Sequence, residues 1–121
     1  MKLFPSDFLI GTLTPGLTAD DIHRGTAKFW AFQIDPVMAI DLSCWTIVAT
    51  HANLTIGTLC RYLEEFPYLQ PLVESLLRFD TFGVYLLTER GHGLDAFNIE
   101  TTATKTREGF ILNTPNEAAT K

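Results

Sequence analysis

The chain has 121 residues, 46% hydrophobic and 19% charged, which excludes a disordered polymer and sets the scale at one domain or one domain plus part of a second. A formal charge of −5 without a basic stripe argues against nucleic-acid binding, and an anionic ligand here has to be held by local donors or helix ends. No run of 18 apolar residues is present, so no membrane span is predicted, and the opening residues, with Lys2, Pro5 and Asp7, do not read as a signal peptide.

Residues 1–18 contain Pro5, Gly11, Pro15 and Gly16 and read as extended chain anchored by Leu3, Phe4, Phe8, Leu9 and Ile10. Thr18, with Asp21 three residues on, has the form of a capping box and predicts a helix over 19–33. Asp35 as N-cap and Pro36 in the first turn predict a second helix to about 50. That helix is apolar nearly all round, through Ile40, Leu42, Trp45, Ile47 and Val48, so it asks for burial on several sides. In a chain this small the pattern points to further chain or to a partner. Helical patterns continue over 52–65, with Gly57 as a weak spot or close-packing point and Pro67 as a stop, and over 69–78.

After Asp80 the period changes. Phe82–Thr88 is short, apolar and rich in aromatic and β-branched residues, and predicts a strand. Gly91–Asp95 is a loop, Ile99–Lys105 an alternating Thr-rich strand, Arg107–Gly109 a turn, and Phe110–Asn113 the return strand of a hairpin. Helices first and strands last imply an α+β arrangement of a helical part, 1–80, and the start of a β-part, 81–121. So few strands need cover, because open edges invite a partner or a continuation. Cys44 and Cys60 lie in apolar surroundings without ligand spacing, and read as buried free thiols of a reducing compartment, with a structural disulfide as the minor alternative.

The run Leu86-Leu87-Thr88-Glu89-Arg90-Gly91-His92-Gly93-Leu94-Asp95, continued by Glu100-Thr101-Thr102-Ala103-Thr104 and by Phe110-Ile111-Leu112-Asn113-Thr114-Pro115, resembles the signature of the acyl-CoA oxidases. The related acyl-CoA dehydrogenases carry a T-E-P-G-x-G-S-D run there. The resemblance is strongest over 80–121 and continues more weakly back through the helices. It implies an acyl-CoA dehydrogenase-like fold, of which this chain is the incomplete N-terminal portion. The family's all-helical first domain is present, followed by the first strands of its β-domain. It further implies FAD as cofactor and an acyl-CoA as substrate, desaturated to a trans-2-enoyl-CoA. In the family the proton-removing glutamate lies in a C-terminal bundle that has no counterpart here, so no residue of this chain is assigned as catalytic.

The same resemblance supplies site expectations. Thr88 is expected to contact the flavin ring through its hydroxyl and backbone, where a ring edge gaining charge on reduction needs donors. Leu87 and Tyr85 are expected at the flavin by backbone or ring contact, although strand alternation puts 86 and 88 on one face and 85 and 87 on the other. Gly91 and Gly93 allow a tight turn and close approach to a ligand. Gly93 and Leu94 align with flavin- or acyl-CoA-touching positions. Leu94 stands where dehydrogenases have serine, so only a backbone contact carries over. Asp95 braces the substrate loop, with a local Asx turn as the plainer reading.

His92 is read as loop-shaping and Glu89 as structural, neither as the base. His23 and His51 are read as satisfied structural histidines, and Trp30 and Trp45 as core. No metal set, nucleophile triad or phosphate-cradling loop is predicted. The competing reading is a stand-alone, non-redox binding or oligomerisation module, dimeric through the apolar 36–48 helix. A cofactor-free reaction on the same fold has no residue in its favour. The resemblance implies a peroxisomal or cytoplasmic setting, and a homo-oligomer or complementing chain as partner.

Overall fold

The structure, a computed structural model, describes residues 16–121, apart from the side chains of Val37 and Met38. The apolar anchors read between Leu3 and Ile10 lie outside the described residues. The chain divides into two compact units, Met1–Tyr85 and Leu86–Lys121. Helices come first and two antiparallel strands follow, which is the α+β arrangement predicted.

In the first unit, α1 (Ala19–Arg24) opens on the predicted capping box. The Asp21 N–H donates to Thr18 Oγ1 at 3.1 Å and the Thr18 N–H donates back to the Asp21 carboxylate at 3.0 Å. The helix expected through residue 33 ends early. Gly25 turns left-handed at φ 59°, and Thr26 recaps a new helix, α2 (Ala27–Gln33). Asp21 joins the two, because its second oxygen accepts the Thr26 hydroxyl at 2.7 Å. The Thr26 hydroxyl, then the Thr18 backbone and hydroxyl, hold the Asp21 carboxyl at about 2.

The long helix expected from Pro36 to 50 is also divided, into α3 (Val37–Ile40) and α4 (Leu42–Ala49). Asp41 caps α4 by accepting the Cys44 N–H at 2.9 Å, so a mid-run aspartate starts a helix rather than riding inside one. The chain then widens into a π-helix, Thr50–Ile56, before α5 (Gly57–Cys60). Back-bonding hydroxyls mark this stretch: Thr46 to the Leu42 carbonyl at 2.9 Å and Thr50 to Thr46 at 2.8 Å. Residues 61–65 are turn, not the helix predicted to Glu65. A short 3₁₀ segment, Pro67–Leu69, leads into α6 (Gln70–Leu77).

Two apolar clusters hold the helices. Leu17, Phe32, Val48 and Ala52 form one. Ile22, Ile56, Cys60, Val73 and Leu76 form the other, and Phe29 packs against both. Trp45 packs with Phe32, ring centres 6.2 Å apart, as a core residue should. Trp30 does not: it is 58% exposed, because the break at Gly25 and Thr26 resets which face of α2 points inward. The α3–α4 face is likewise open at Ile40, Leu42 and Ile47, with Val48 buried. Cys44 and Cys60 are free thiols, both pushed up by burial, Cys60 to about 11.

In the second unit, β1 (Thr102–Lys105) pairs antiparallel with β2 (Phe110–Asn113), in the register Thr102↔Asn113 to Lys105↔Phe110. The return strand falls on the predicted residues. The outgoing strand starts at Thr102 rather than Ile99, since the N–H groups of Glu100 and Thr101 are spent on Glu89. Phe82–Thr88, predicted as a strand, is irregular chain. A strand exists only against a neighbour that takes its N–H and C=O groups, and no ladder reaches this stretch among the described residues. No helix of the described residues is long and apolar enough to cross a membrane.

Candidate functional site

The loop that carries the sequence motif is organised around one carboxylate. Glu89 is 1% exposed. One of its oxygens accepts the Thr101 N–H at 2.9 Å and the other the Glu100 N–H at 2.9 Å. The Lys121 ammonium lies 3.1 Å away and also donates to the Leu87 carbonyl at 3.1 Å. Burial alone raises this carboxyl, but the two backbone N–H groups and the Thr101 and Lys121 side chains outweigh it and hold it at about 2. Glu89 is therefore an ionised anchor, in keeping with its structural reading.

Around this anchor the loop is stapled to residues 117–120. The Arg90 N–H donates to the Thr120 carbonyl at 2.9 Å and the Gly91 N–H to the Ala118 carbonyl at 2.7 Å. The Arg90 guanidinium pairs with Glu117. A β-carbon at Gly91 would stand 2.8 Å from that of Ala118. The close approach that Gly91 permits is thus to the protein's own backbone, which corrects the ligand-approach reading of this glycine.

His92 shapes the turn, as read. Its N–H donates to the Glu89 carbonyl at 3.0 Å, and its Nε2 lies 3.6 Å from the Glu100 carboxylate. The donor atoms of Glu89, His92 and Glu100 fall within 4.8 Å of one another, which is the spacing of a metal set. The Glu89 oxygens, however, are already bound by two N–H groups and an ammonium. With both Glu89 oxygens taken by these donors, the carboxylate serves the loop as a structural anchor.

The other side of the loop is open. Glu89 and His92 form an isolated bridge, so Thr88 and Gly93 flank it on the two sides of the turn. Thr88 is exposed, Leu87 is 44% exposed, and an added β-carbon at Gly93 would meet nothing within 4 Å. Leu94 is held left-handed at φ 58° with its side chain wholly in solvent. For a leucine this backbone costs about 1–2 kcal/mol, a strain of the kind that gathers at ligand and partner sites. Asp95 accepts the Asn98 side chain at 2.7 Å at the start of a 3₁₀ turn, Ala96–Asn98, so it braces the loop locally. Tyr85 belongs to the helical unit, at its last residue, and is 45% exposed. The structure therefore brings Leu87, Thr88, Gly93, Leu94 and Asp95 into one loop.

Sequence reasoning did not find the Glu89–Lys121 pair, since partners so far apart in the chain leave no periodic signal. The helical unit holds a cavity of about 320 Å³ lined by residues including Ile22, His23, Asn53, Arg61 and Tyr62, and no predicted site residue lines it. His23, read as structural, is exposed at this cavity.

Comparison with curated proteins decides the relationship. The chain is 32% identical, over 93% of its length, to acyl-coenzyme A oxidase 1 of Yarrowia lipolytica. The chain is a relative of the acyl-coenzyme A oxidases. It is also 38% identical over 91% of its length to the acyl-coenzyme A oxidase of Candida glabrata, and 48% identical over 42 residues to acyl-coenzyme A oxidase 3 of Yarrowia lipolytica. It spans only 16% and 15% of the length of the first two of these oxidases. No family model and no solved structure matches it.

Proposed function

We propose that this chain supplies part of the flavin and acyl wall of an FAD-dependent acyl-CoA oxidase-like enzyme, which desaturates an acyl-CoA to a trans-2-enoyl-CoA in fatty-acid β-oxidation or a related acyl pathway. The observation that carries the proposal is the resemblance to acyl-coenzyme A oxidases across more than nine-tenths of the chain. The geometry of the loop supports it. Thr88 and Gly93 flank one turn, their side is open, and the buried Glu89 anchor fixes the turn from behind. The residues present fit a planar ring system in one respect that matters: the motif stretch is not roofed by packed side chains.

When bound, FAD supplies the two-electron acceptor for the β-carbon of the acyl chain. The chain's own residues bind and orient. Thr88 offers a hydroxyl to the ring, Leu87 and Tyr85 offer apolar contact, and Gly93 lets the backbone come close. Gly93, Leu94 and Asp95 line the acyl side, with Leu94 contributing its backbone. No carboxylate of this chain is assigned as base: Glu89, the buried one in the motif, is ionised and tied to two N–H groups and a lysine. The proposal includes the division into a helical domain over 1–80 and the start of a β-domain over 81–121. It also includes a reducing, peroxisomal or cytoplasmic setting, and a homo-oligomer or a complementing chain.

The test is FAD titration followed by flavin absorbance and fluorescence, on the 121-residue chain and on the chain joined to the remaining length of an oxidase relative. The expected result is yellow protein and acyl-CoA turnover in the joined form, with Thr88→Ala weakening flavin binding and leaving the fold intact. A colourless joined protein, or Thr88→Ala binding flavin as wild type does, overturns the assignment. The non-redox module has its own observation, the open α3–α4 face at Ile40, Leu42 and Ile47. A colourless, stable dimer that Ile47→Glu dissociates would establish it.

A further inference from the structure

His51 is fully buried, in the π-helix Thr50–Ile56. Its ring packs against two phenyls that also touch each other, with centres 4.5 Å from Phe79 and 4.7 Å from Phe82, nearly parallel to the latter. Both nitrogens are engaged. Nε2 faces the Leu76 carbonyl at 2.9 Å, and Nδ1 faces the Gly83 N–H at 3.0 Å. A carbonyl can only accept and an N–H can only donate. The tautomer is therefore fixed by its partners: Nε2 carries the proton and Nδ1 is a bare acceptor.

The segment bound by this ring is strained. After α6 the chain closes a Schellman turn, with the Phe79 N–H donating to Leu76 at 2.9 Å and the Asp80 N–H to Ser75 at 3.0 Å. The left-handed position of that turn, usually glycine, is Phe79 at φ 57°. A few residues on, Gly83 sits so close to Thr55 that an added β-carbon would stand 2.3 Å from its methyl group. Strain at Phe79, tight packing at Gly83 and the bond to Nδ1 meet at one ring.

We propose that His51 is a latch: neutral, it locks Phe79–Gly83 onto the π-helix, and protonated, it releases Gly83 and the chain running on to Tyr85. Protonation of Nδ1 sets one N–H against another, so the Gly83 bond cannot survive it. The Phe82 stack and the Nε2–H bond to the Leu76 carbonyl need no change of donor or acceptor, so the ring keeps these contacts while the Gly83 bond opens. The charged groups on the elements packed against it are Glu74 on α6, and Arg78 and Asp80 in the turn; the π-helix has none besides His51. Glu74 accepts from Gln70, and Arg78 pairs with Asp80 at 2.8 Å, both on the exposed side. Among the described residues none of the three forms an ion pair with the ring.

The latch stands on the helical unit alone and does not depend on flavin binding. Its test uses the labelled 121-residue chain. Long-range proton–nitrogen spectra of His51 are expected to show the Nε2–H tautomer at neutral pH. On acidification the protection factor of the Gly83 amide should fall by on the order of fivefold or more, in step with ring protonation, while Val73 and Leu76 keep theirs. His51→Asn places a carbonyl oxygen near the Nδ1 position, and is expected to keep Gly83 protected and insensitive to pH. His51→Gln restores only the Nε2 side and His51→Phe neither, so both should lose Gly83 protection. An Nδ1–H tautomer, a Gly83 amide that ignores the titration, a ring that stays neutral until the helices unfold, or equal loss in all three variants overturns the latch.

Discussion

Replacing Gly83 by alanine tests the packing of the helical unit at its tightest point. The new β-carbon would lie 2.3 Å from the Thr55 methyl and 2.9 Å from its β-carbon, where ordinary carbon contacts begin at about 3.5 Å. Something has to move by roughly an ångström. Gly83 is held by His51, and Thr55 sits in a helix whose neighbours His51, Ala52 and Ile56 are buried, so neither side yields freely. Overpacking of this kind costs about 1–3 kcal/mol. For a unit of this size each kcal/mol moves the melting point by about 4–8 °C, so Gly83→Ala should lower Tm by about 5–20 °C. Thr55→Ala removes the methyl and a hydroxyl that is buried without a partner, and these two losses nearly cancel, to within about 1 kcal/mol. The double variant should therefore regain much of the lost stability, with a coupling of about 1–2 kcal/mol in denaturant melts. Recovery stays incomplete because the residue-55 β-carbon is still close. A Gly83→Ala chain as stable as wild type, or a cycle additive within about 0.5 kcal/mol, would refute the reasoning.

Three further outcomes follow from the same contacts. The Glu89 carboxyl falls from an ordinary 4.5 to about 2 on folding, so its contribution is complete above 4.5 and is lost as pH drops from there to about 2. Melts of the hairpin unit across that window should show an acid limb that Glu89→Gln flattens, with lower stability at neutral pH; an unchanged limb would show that the anchor carries no linkage. Gly91→Ala should destabilise the hairpin unit by about 1–3 kcal/mol by pressing on Ala118, with Ala118→Gly restoring much of it in thermal melts. Thr18→Ala should cost about 1 kcal/mol by opening the capping box, and Thr18→Ser should recover most of it by the same measurement.

What the sequence made legible was whatever is decided locally. The Thr18 capping box, the return strand Phe110–Asn113 and the order of helices before strands all rest on residues a few positions apart. Where a local rule had two outcomes, tertiary context chose. Gly25 and Asp41 each sit inside a stretch predicted as one helix, yet a left-handed glycine and a capping carboxylate each end one helix and start another. Phe82–Thr88 has strand composition, but composition cannot supply the neighbour that a strand needs. The π-helix Thr50–Ile56 left no signature to find, because no residue pattern separates its wider turn from an α-helical one. At the site, the motif indicated the loop, while the partner of its buried carboxylate, Lys121, was invisible for want of any spacing rule.

The motif loop gains its character from an asymmetry between its two sides. On the inner side every strong group is spent. Glu89 takes two N–H groups and an ammonium, Arg90 and Gly91 close onto Thr120 and Ala118, and His92 faces Glu100. On the outer side Thr88, Gly93 and Leu94 are left exposed, and Leu94 is held in a left-handed backbone that a free loop of this sequence would relax. Folding alone gives no reason to keep an apolar side chain fully in water on a strained backbone. The strain persists because the anchored turn on one flank and the Asp95–Asn98 bond on the other fix the chain before and after Leu94. Leu94→Gly separates the two demands. It should leave the hairpin unit equally or more stable, by up to about 1 kcal/mol, since glycine enters this backbone without strain. In the oxidase-joined protein the same change should weaken acyl-CoA binding, because in the proposed site it frees the backbone that Leu94 holds fixed for the ligand. A variant that loses stability and keeps binding unchanged would place Leu94 in the packing of the protein and not in its site.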